Sequence, residues 1–198
     1  MFLRCRWFVT APLNRTTVRP QNRGHKGDSW SRMVIRGYRS SDLDGCRGLW
    51  AEMNQRHRDI YGDPTIGGEN PGLEFDNHLA RVGSDLIWVA ASEDEIVGFV
   101  SLIHEGEEAE IEPIVVKSEV RSVGIGHRLV EHAVEQARDL GVLCLSVKPV
   151  ARNEEAIAFF YEVGFRTLGH VQLFMWLGDS FPGQWKKGPE LFGKSFEY

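Results

Sequence analysis

Apolar and polar residues alternate over residues 33–38, MVIRGY, with the two-residue period of a half-buried strand. The period then changes. Leu43, Cys46, Trp50, Met53 and Ile60 fall on one helical face, so residues 41–61 read as a helix. Ser41 is its expected cap, with Asp42 and Asp44 in the first turn. The Gly/Pro-rich stretch 62–72 reads as a loop long enough to carry a function, and 73–82 as a short second helix. Two apolar runs, 86–91 and 96–103, flank the turn 92–95 and predict an antiparallel hairpin. A further strand, 109–116, holds a proline at 113.

The clearest helix is 127–140. Leu129, Val130, Ala133, Val134, Ala137 and Leu140 form its stripe, and Gly141 is its stop signal. A buried strand, 142–147, comes next, then a helix over 153–163 with Asn153 at its N-cap. Residues 164–177 predict one or two closing strands. The tail after Leu177 has five aromatic residues and no periodicity, and reads as an arm (178–198) packing on this chain or a partner. Consecutive antiparallel strands followed by a strand–helix–strand crossover predict a mixed α/β sheet over residues 33–177.

Charge separates the first segment from the rest. The whole chain carries −5, yet residues 1–33 hold six Arg and one Lys against one acid. Residues 34–198 therefore carry −11. Such a body does not bind nucleic acid by bulk charge, and it favours cations or amines. Residues 1–32 read as a disordered or non-native extension, or else as a transit peptide. No apolar run approaches bilayer length, so no membrane span is expected. Cys5, Cys46 and Cys144 are odd in number and scattered, which suggests free thiols in a reducing, cytoplasmic setting and no metal site. His127 and His132 lie five apart, not the four that brings two ligands together.

The candidate chemistry lies between residues 110 and 126. Proline cannot donate to a sheet ladder, so Pro113 marks a bulge or an unpaired edge. A bulge there splays this strand from 142–147 and exposes backbone of Ile114, Val115 and Val116 to an extended amide-containing ligand. Gly124 and Gly126 then open a helix, where backbone N–H groups and the helix dipole favour phosphate. A dinucleotide fingerprint would need glycine at 129, which is Leu, and a P-loop would need Gly-Lys-Ser/Thr. An extended amide arm ending in phosphates describes coenzyme A. Glu110 and Glu112, two apart on one strand, share a face and are candidate bases.

With "RSVGIG" at 121–126 and "NEEAIAFFYEVGF" at 153–165, the chain resembles the GNAT superfamily of N-acetyltransferases. The resemblance implies a mixed, mostly antiparallel six- to seven-stranded sheet flanked by helices, with splayed central parallel strands. It implies acetyl-CoA as cosubstrate, a primary amine of a small molecule or peptide as acceptor, and a possible homodimer. Cofactor contacts would come from Ile114, Val115, Val116, Arg121, Ser122, Val123, Gly124, Ile125, Gly126, Asn153 and Phe160. The N–H of Val115 would meet the thioester carbonyl, and Arg121 would either lie beside the pyrophosphate or pair with Glu119. Ser122 stands where the family commonly has glycine. Glu112 or Glu110 would take the amine proton, directly or through water. Tyr161 would be the general acid or a boundary tyrosine, one step past the usual position, which is Phe160. His57, Tyr61 and Asp63 would line the acceptor wall, which Asp59, Glu69, Glu74 and Asp76 make negative. The alternative is a catalytically weak acyl-CoA-binding regulatory or interaction module.

Overall fold

The computed structural model describes residues 33–92, 95–178 and 185–198. The N-terminal extension expected over 1–32, and Cys5 with it, lies outside the described residues. Strands β1 (Val34–Gly37), β2 (Ile87–Ala91), β3 (Ile96–Glu105), β4 (Glu108–Val116) and β5 (Cys144–Val147) form one sheet in the order β1-β2-β3-β4-β5. The first three pairings are antiparallel and β4–β5 is parallel. Helices α1 (Leu43–Tyr61) and α2 (Glu74–Val82) precede β2. Helix α3 (Ile125–Asp139) supplies the crossover to β5, and α4 (Glu154–Glu162) follows it.

The sheet separates two cores. On one face α3 buries Ile125, Leu129, Val130, Ala133 and Ala137 with Trp88, Val100, Leu102 and Ile111. On the other, α1 and α2 bury Cys46, Leu49 and Phe75 against Ile87, Val89, Phe99 and Val115. Burial of each such side chain contributes roughly 1.5–3 kcal/mol. Helix α3 ends as its glycine requires. Gly141 has φ +78, Val142 N–H donates to Ala137 O at 2.9 Å and Gly141 N–H to Arg138 O at 2.9 Å, a complete Schellman stop.

Several expectations change. Among the described residues the sheet has five strands, not six or seven. Residues 166–178 carry no strand, and Leu173, Phe174, Met175 and Leu177 are exposed, because none of them pairs with the outer edge of β5. The tail instead forms a separate hairpin, β6 (Lys187–Leu191) and β7 (Lys194–Glu197), turned by Phe192 and Gly193 at positive φ. Asp42, not Ser41, organises the start of α1. Its buried carboxylate accepts the Arg39 N–H at 2.8 Å and both Arg36 nitrogens at 2.7 and 2.9 Å. That guanidinium, first among the causes, holds Asp42 below the usual carboxylate range. Cys46 is inert packing, its thiol pushed up to about 12 by burial. Cys144, expected in a buried strand, is exposed at the start of β5, the sheet's last strand.

Candidate functional site

The break in β4 is real and sits at the proline. Leu102 pairs with Ile111 and Val100 with Ile114, so Glu112 and Pro113 together face Ser101 alone. This is a β-bulge with its extra residue on β4. The Glu112–Pro113 bond is cis. Pairing of β4 with β5 runs from Glu108↔Cys144 to Ile111↔Val147 and stops there, while β4 continues to Val116. Past the proline the two strands diverge.

Strand alternation decides which groups face that gap. Lys117 N–H donates to Val97 O on β3 at 2.9 Å, so Val115, two residues back, also turns its N–H toward β3. The backbone of Ile114 and Val116 faces the gap. The expectation that Val115 N–H meets the thioester carbonyl is therefore corrected. Val115 contributes a buried side chain to the α1–α2 core.

The turn ahead of α3 divides its work between two glycines. Gly124 has φ +91, and a Cβ there would meet nothing within 4 Å, so the backbone is open to an approaching group. Gly126 is a packing glycine, since its Cβ would come within 3.2 Å of the Phe159 ring on α4. No side chain caps the helix, which leaves the N–H groups of its first turn to a ligand or water. Ser122 has φ 64, the left-handed conformation that explains a glycine preference there. Val123 is exposed beside it and Ile125 is buried beneath. Arg121 does not pair with Glu119. Its Nε donates to Val116 O at 3.2 Å and its guanidinium lies 3.9 Å from Glu52.

The sequence model of the Acetyltransferase (GNAT) family matches residues 50–165. The chain belongs to the GNAT acetyltransferase family. It is 33% identical over 88 residues to the peptidyl-lysine N-acetyltransferase YjaB of Escherichia coli K12, over 44% of this chain and 54% of that protein. The chain thus matches about half the length of this curated relative. Among solved structures, a Trypanosoma brucei acetyltransferase aligns at TM-score 0.53 and 21% identity, covering 73% of this chain and 99% of that one. The PaiA N-acetyltransferase of Thermoplasma acidophilum, solved with coenzyme A, aligns at 0.56 and 24%, covering 68% and 89%. These two share the fold.

Within this GNAT fold the two candidate bases have different surroundings. The Glu110 carboxylate, largely buried, is paired with Lys148 at the end of β5. Glu112 is partly open and accepts from Arg81 on α2 at 2.6 Å. Tyr161 is 58% exposed and lies beneath the Arg166 guanidinium at 5.2 Å, whereas Phe160 is buried against Phe159 and Phe165. One helical step turns Tyr161 outward, so it is not brought to the two carboxylates. Asn153 is used as the N-cap, accepting Ala156 N–H at 3.2 Å.

The acceptor wall is tied up more than expected. Asp63 accepts from Thr65 N–H at 2.8 Å and Thr65 Oγ1 at 2.6 Å, closing a turn that lowers its pKa. Asp76 is bidentate with Arg47 at 2.9 and 2.6 Å, and Glu74 accepts from Asn54 at 2.9 Å and Trp50 at 3.2 Å. Asp59 accepts from Gln55 at 2.9 Å. The loop itself is pinned by Arg58, which donates to Ile66 O at 2.8 Å and Gly68 O at 2.7 Å. His57 is half-buried, which lowers its pKa, and Tyr61 lies under Arg152 at 4.7 Å. Arg152 also faces Tyr198, whose hydroxyl donates to Glu154 at 2.9 Å and so docks the C-terminal hairpin beside α4.

Arg81, His78 and Ser101 were missed by sequence reading. A signal existed for one of them: Ser101 is the lone polar residue in the apolar run 96–103. Among the described residues no cluster of His, Cys, Asp and Glu could hold a metal ion, and no helix is long and apolar enough to cross a membrane.

Proposed function

We infer that this protein transfers the acetyl group of acetyl-CoA to a primary amine, with a peptide lysine side chain as the acceptor class. The observation that carries this reading is the end of β4–β5 pairing at Ile111↔Val147, which opens a gap leading to the uncapped N-terminus of α3. The pantetheine arm lies in the gap against the backbone of Ile114 and Val116. The pyrophosphate rests on the amides of residues 122–126, above the open face of Gly124. The lysine assignment comes from YjaB, named a peptidyl-lysine N-acetyltransferase, and from the negative charge of residues 34–198.

In the reaction the amine nitrogen attacks the thioester carbonyl carbon. The C–S bond breaks, CoA leaves as thiolate, and the amine proton passes to a carboxylate. Ile114, the first residue past the proline, offers its N–H to the carbonyl oxygen as negative charge develops there. Glu112 is the base, directly or through one water, since it sits on the bulge where β4 leaves β5, whereas Glu110 lies within the paired stretch opposite Ser146 and is held by Lys148. No side-chain acid is assigned, because a thiolate can leave unprotonated.

Calorimetry with acetyl-CoA, followed by mass spectrometry of lysine peptides incubated with it, tests the reading. Heat of binding and a lysine-borne acetyl group are expected. The absence of heat at about millimolar ligand would remove the proposal. The outward Tyr161 favours a second reading, an acyl-CoA-binding module of little catalytic power. Binding without turnover across the peptide panel would select it.

A further inference from the structure

A buried polar chain links the acceptor-side helix α2 to the break in β4. Ser101 is fully buried and His78 is 3% exposed, both in otherwise apolar surroundings. Buried polar groups are tolerated only when their hydrogen bonds are made. Here one proton arrangement satisfies every atom. Ser101 Oγ donates to Glu112 O at 2.5 Å. That hydroxyl has a single proton, so it must accept at its contact with His78 Nε2, 2.7 Å away, and Nε2 carries hydrogen. Nδ1 is then an acceptor, and Arg81 lies 3.3 Å from it. The same Arg81 nitrogen reaches the Glu112 carboxylate at 2.6 Å. Both ends of Glu112 are therefore tied to α2, its carbonyl through Ser101 of β3 and His78, and its carboxylate through Arg81.

The position of this chain gives it a role beyond packing. Ser101 is the residue that faces the two bulged residues of β4. Pro113 cannot donate into the ladder, and the serine hydroxyl takes the carbonyl next to it. Among the described residues the charged groups facing the imidazole are Arg81 and Glu112, and the remaining neighbours include the rings of Trp50 and Phe75.

We propose that His78 and Ser101 are positioning residues for acyl transfer, a neutral Nε2-protonated imidazole and a hydroxyl that fix the bulge at Glu112–Pro113 and so, with Arg81, hold the Glu112 carboxylate beside the gap. The proposal rests on the acetyl-transfer reading above. It explains why a serine and a histidine, of no use to the core, lie in it at this place. An acceptor ammonium entering the gap meets a carboxylate whose direction is set from the helix that walls the acceptor.

Two measurements test it, and one needs no turnover. Nitrogen-15 NMR of the full chain with labelled histidine should show the His78 ring as the neutral Nε2-protonated tautomer at neutral pH and still unprotonated at about pH 5. The other tautomer, or protonation near the ordinary histidine value, overturns the proposal whether or not the protein turns over. The second compares kcat and the KM for a lysine peptide in wild type and Ser101→Ala, at saturating acetyl-CoA and a temperature where both are folded. Loss of the hydroxyl should lower kcat by about tenfold, against less than about threefold in KM. A kcat within about threefold of wild type overturns it. If wild type neither binds acetyl-CoA nor acetylates any peptide, it is the acetyl-transfer reading that fails, and the NMR result still reports on the proton arrangement by itself.

Discussion

The two ends of the candidate site are built differently. At the cofactor end the proposed site rests on backbone: the strand groups of Ile114 and Val116 beyond the end of β4–β5 pairing, and the amides at the turn of Gly124. At the acceptor end it rests on side chains from distant segments. Arg47 meets Asp76 across 29 residues, Arg81 meets Glu112 across 31, and Ser101 holds the Glu112 carbonyl from the neighbouring strand. Backbone-built sites announce themselves through glycine and proline, since only those residues change what the backbone can do. Side-chain-built sites do not, because Arg, Asp and Glu are common everywhere on a surface. The cofactor end should therefore tolerate many side-chain changes and few backbone ones, and the acceptor end the reverse.

The strongest test of that contrast is Gly124→Glu. It fills the open face above the turn and adds a negative charge where phosphate is expected, so acetyl-CoA binding should fall by about a hundredfold or more. Circular dichroism should still show a folded chain. Retained affinity by calorimetry would mean that the ligand does not approach this turn.

The next effect concerns pH at the acceptor end. Burial, the largest cause, lowers the His78 pKa from 6.5 to about 4. The unfolded chain then takes up a proton near pH 6.5 and the folded chain only near 4. Stability is complete above that upper value and falls as pH drops through the window, by about 3 kcal/mol at most. Urea titrations at pH 7, 5.5 and 4.5 measure it. The fall should be clearly smaller in His78→Gln, and an equal fall in both proteins would assign it to other groups.

Of similar size, Glu112→Gln should lower kcat by about a hundredfold, while Glu110→Gln costs less than about tenfold. The reverse ranking would place the base at Glu110. It would also mean that the Lys148 pair opens when substrate binds.

The smallest effect is at Ser122, whose φ of 64 is a strained conformation for a residue with a Cβ. Ser122→Gly should raise the unfolding free energy by about 0.5 kcal/mol, the relief of strain exceeding the greater freedom glycine gives the unfolded chain. A lower stability would show that the serine side chain holds the turn.

The order of strands and helices up to α4 was legible because periodicity and caps are local, as in the stripe and the Gly141 stop of α3. The closing strands were not. Residues 168–177 carry an apolar pattern, but pairing requires an edge to pair with, and this segment remains off β5. The tail hairpin was missed because its strands, Lys187–Leu191 and Lys194–Glu197, have too few apolar residues to show a period.

The sequence by itself determined the slot. Pro113 cannot donate to a ladder and Gly124 can take φ +91, and both facts hold whatever the neighbours are. Only the tertiary structure decided how the slot is used. It turned Ile114 and Val116 rather than Val115 toward the gap, sent Tyr161 outward, and set α2 on the break through His78, Ser101 and Arg81. Those outcomes depend on register, helix rotation and contacts between segments far apart in the chain, which no local pattern of residues encodes.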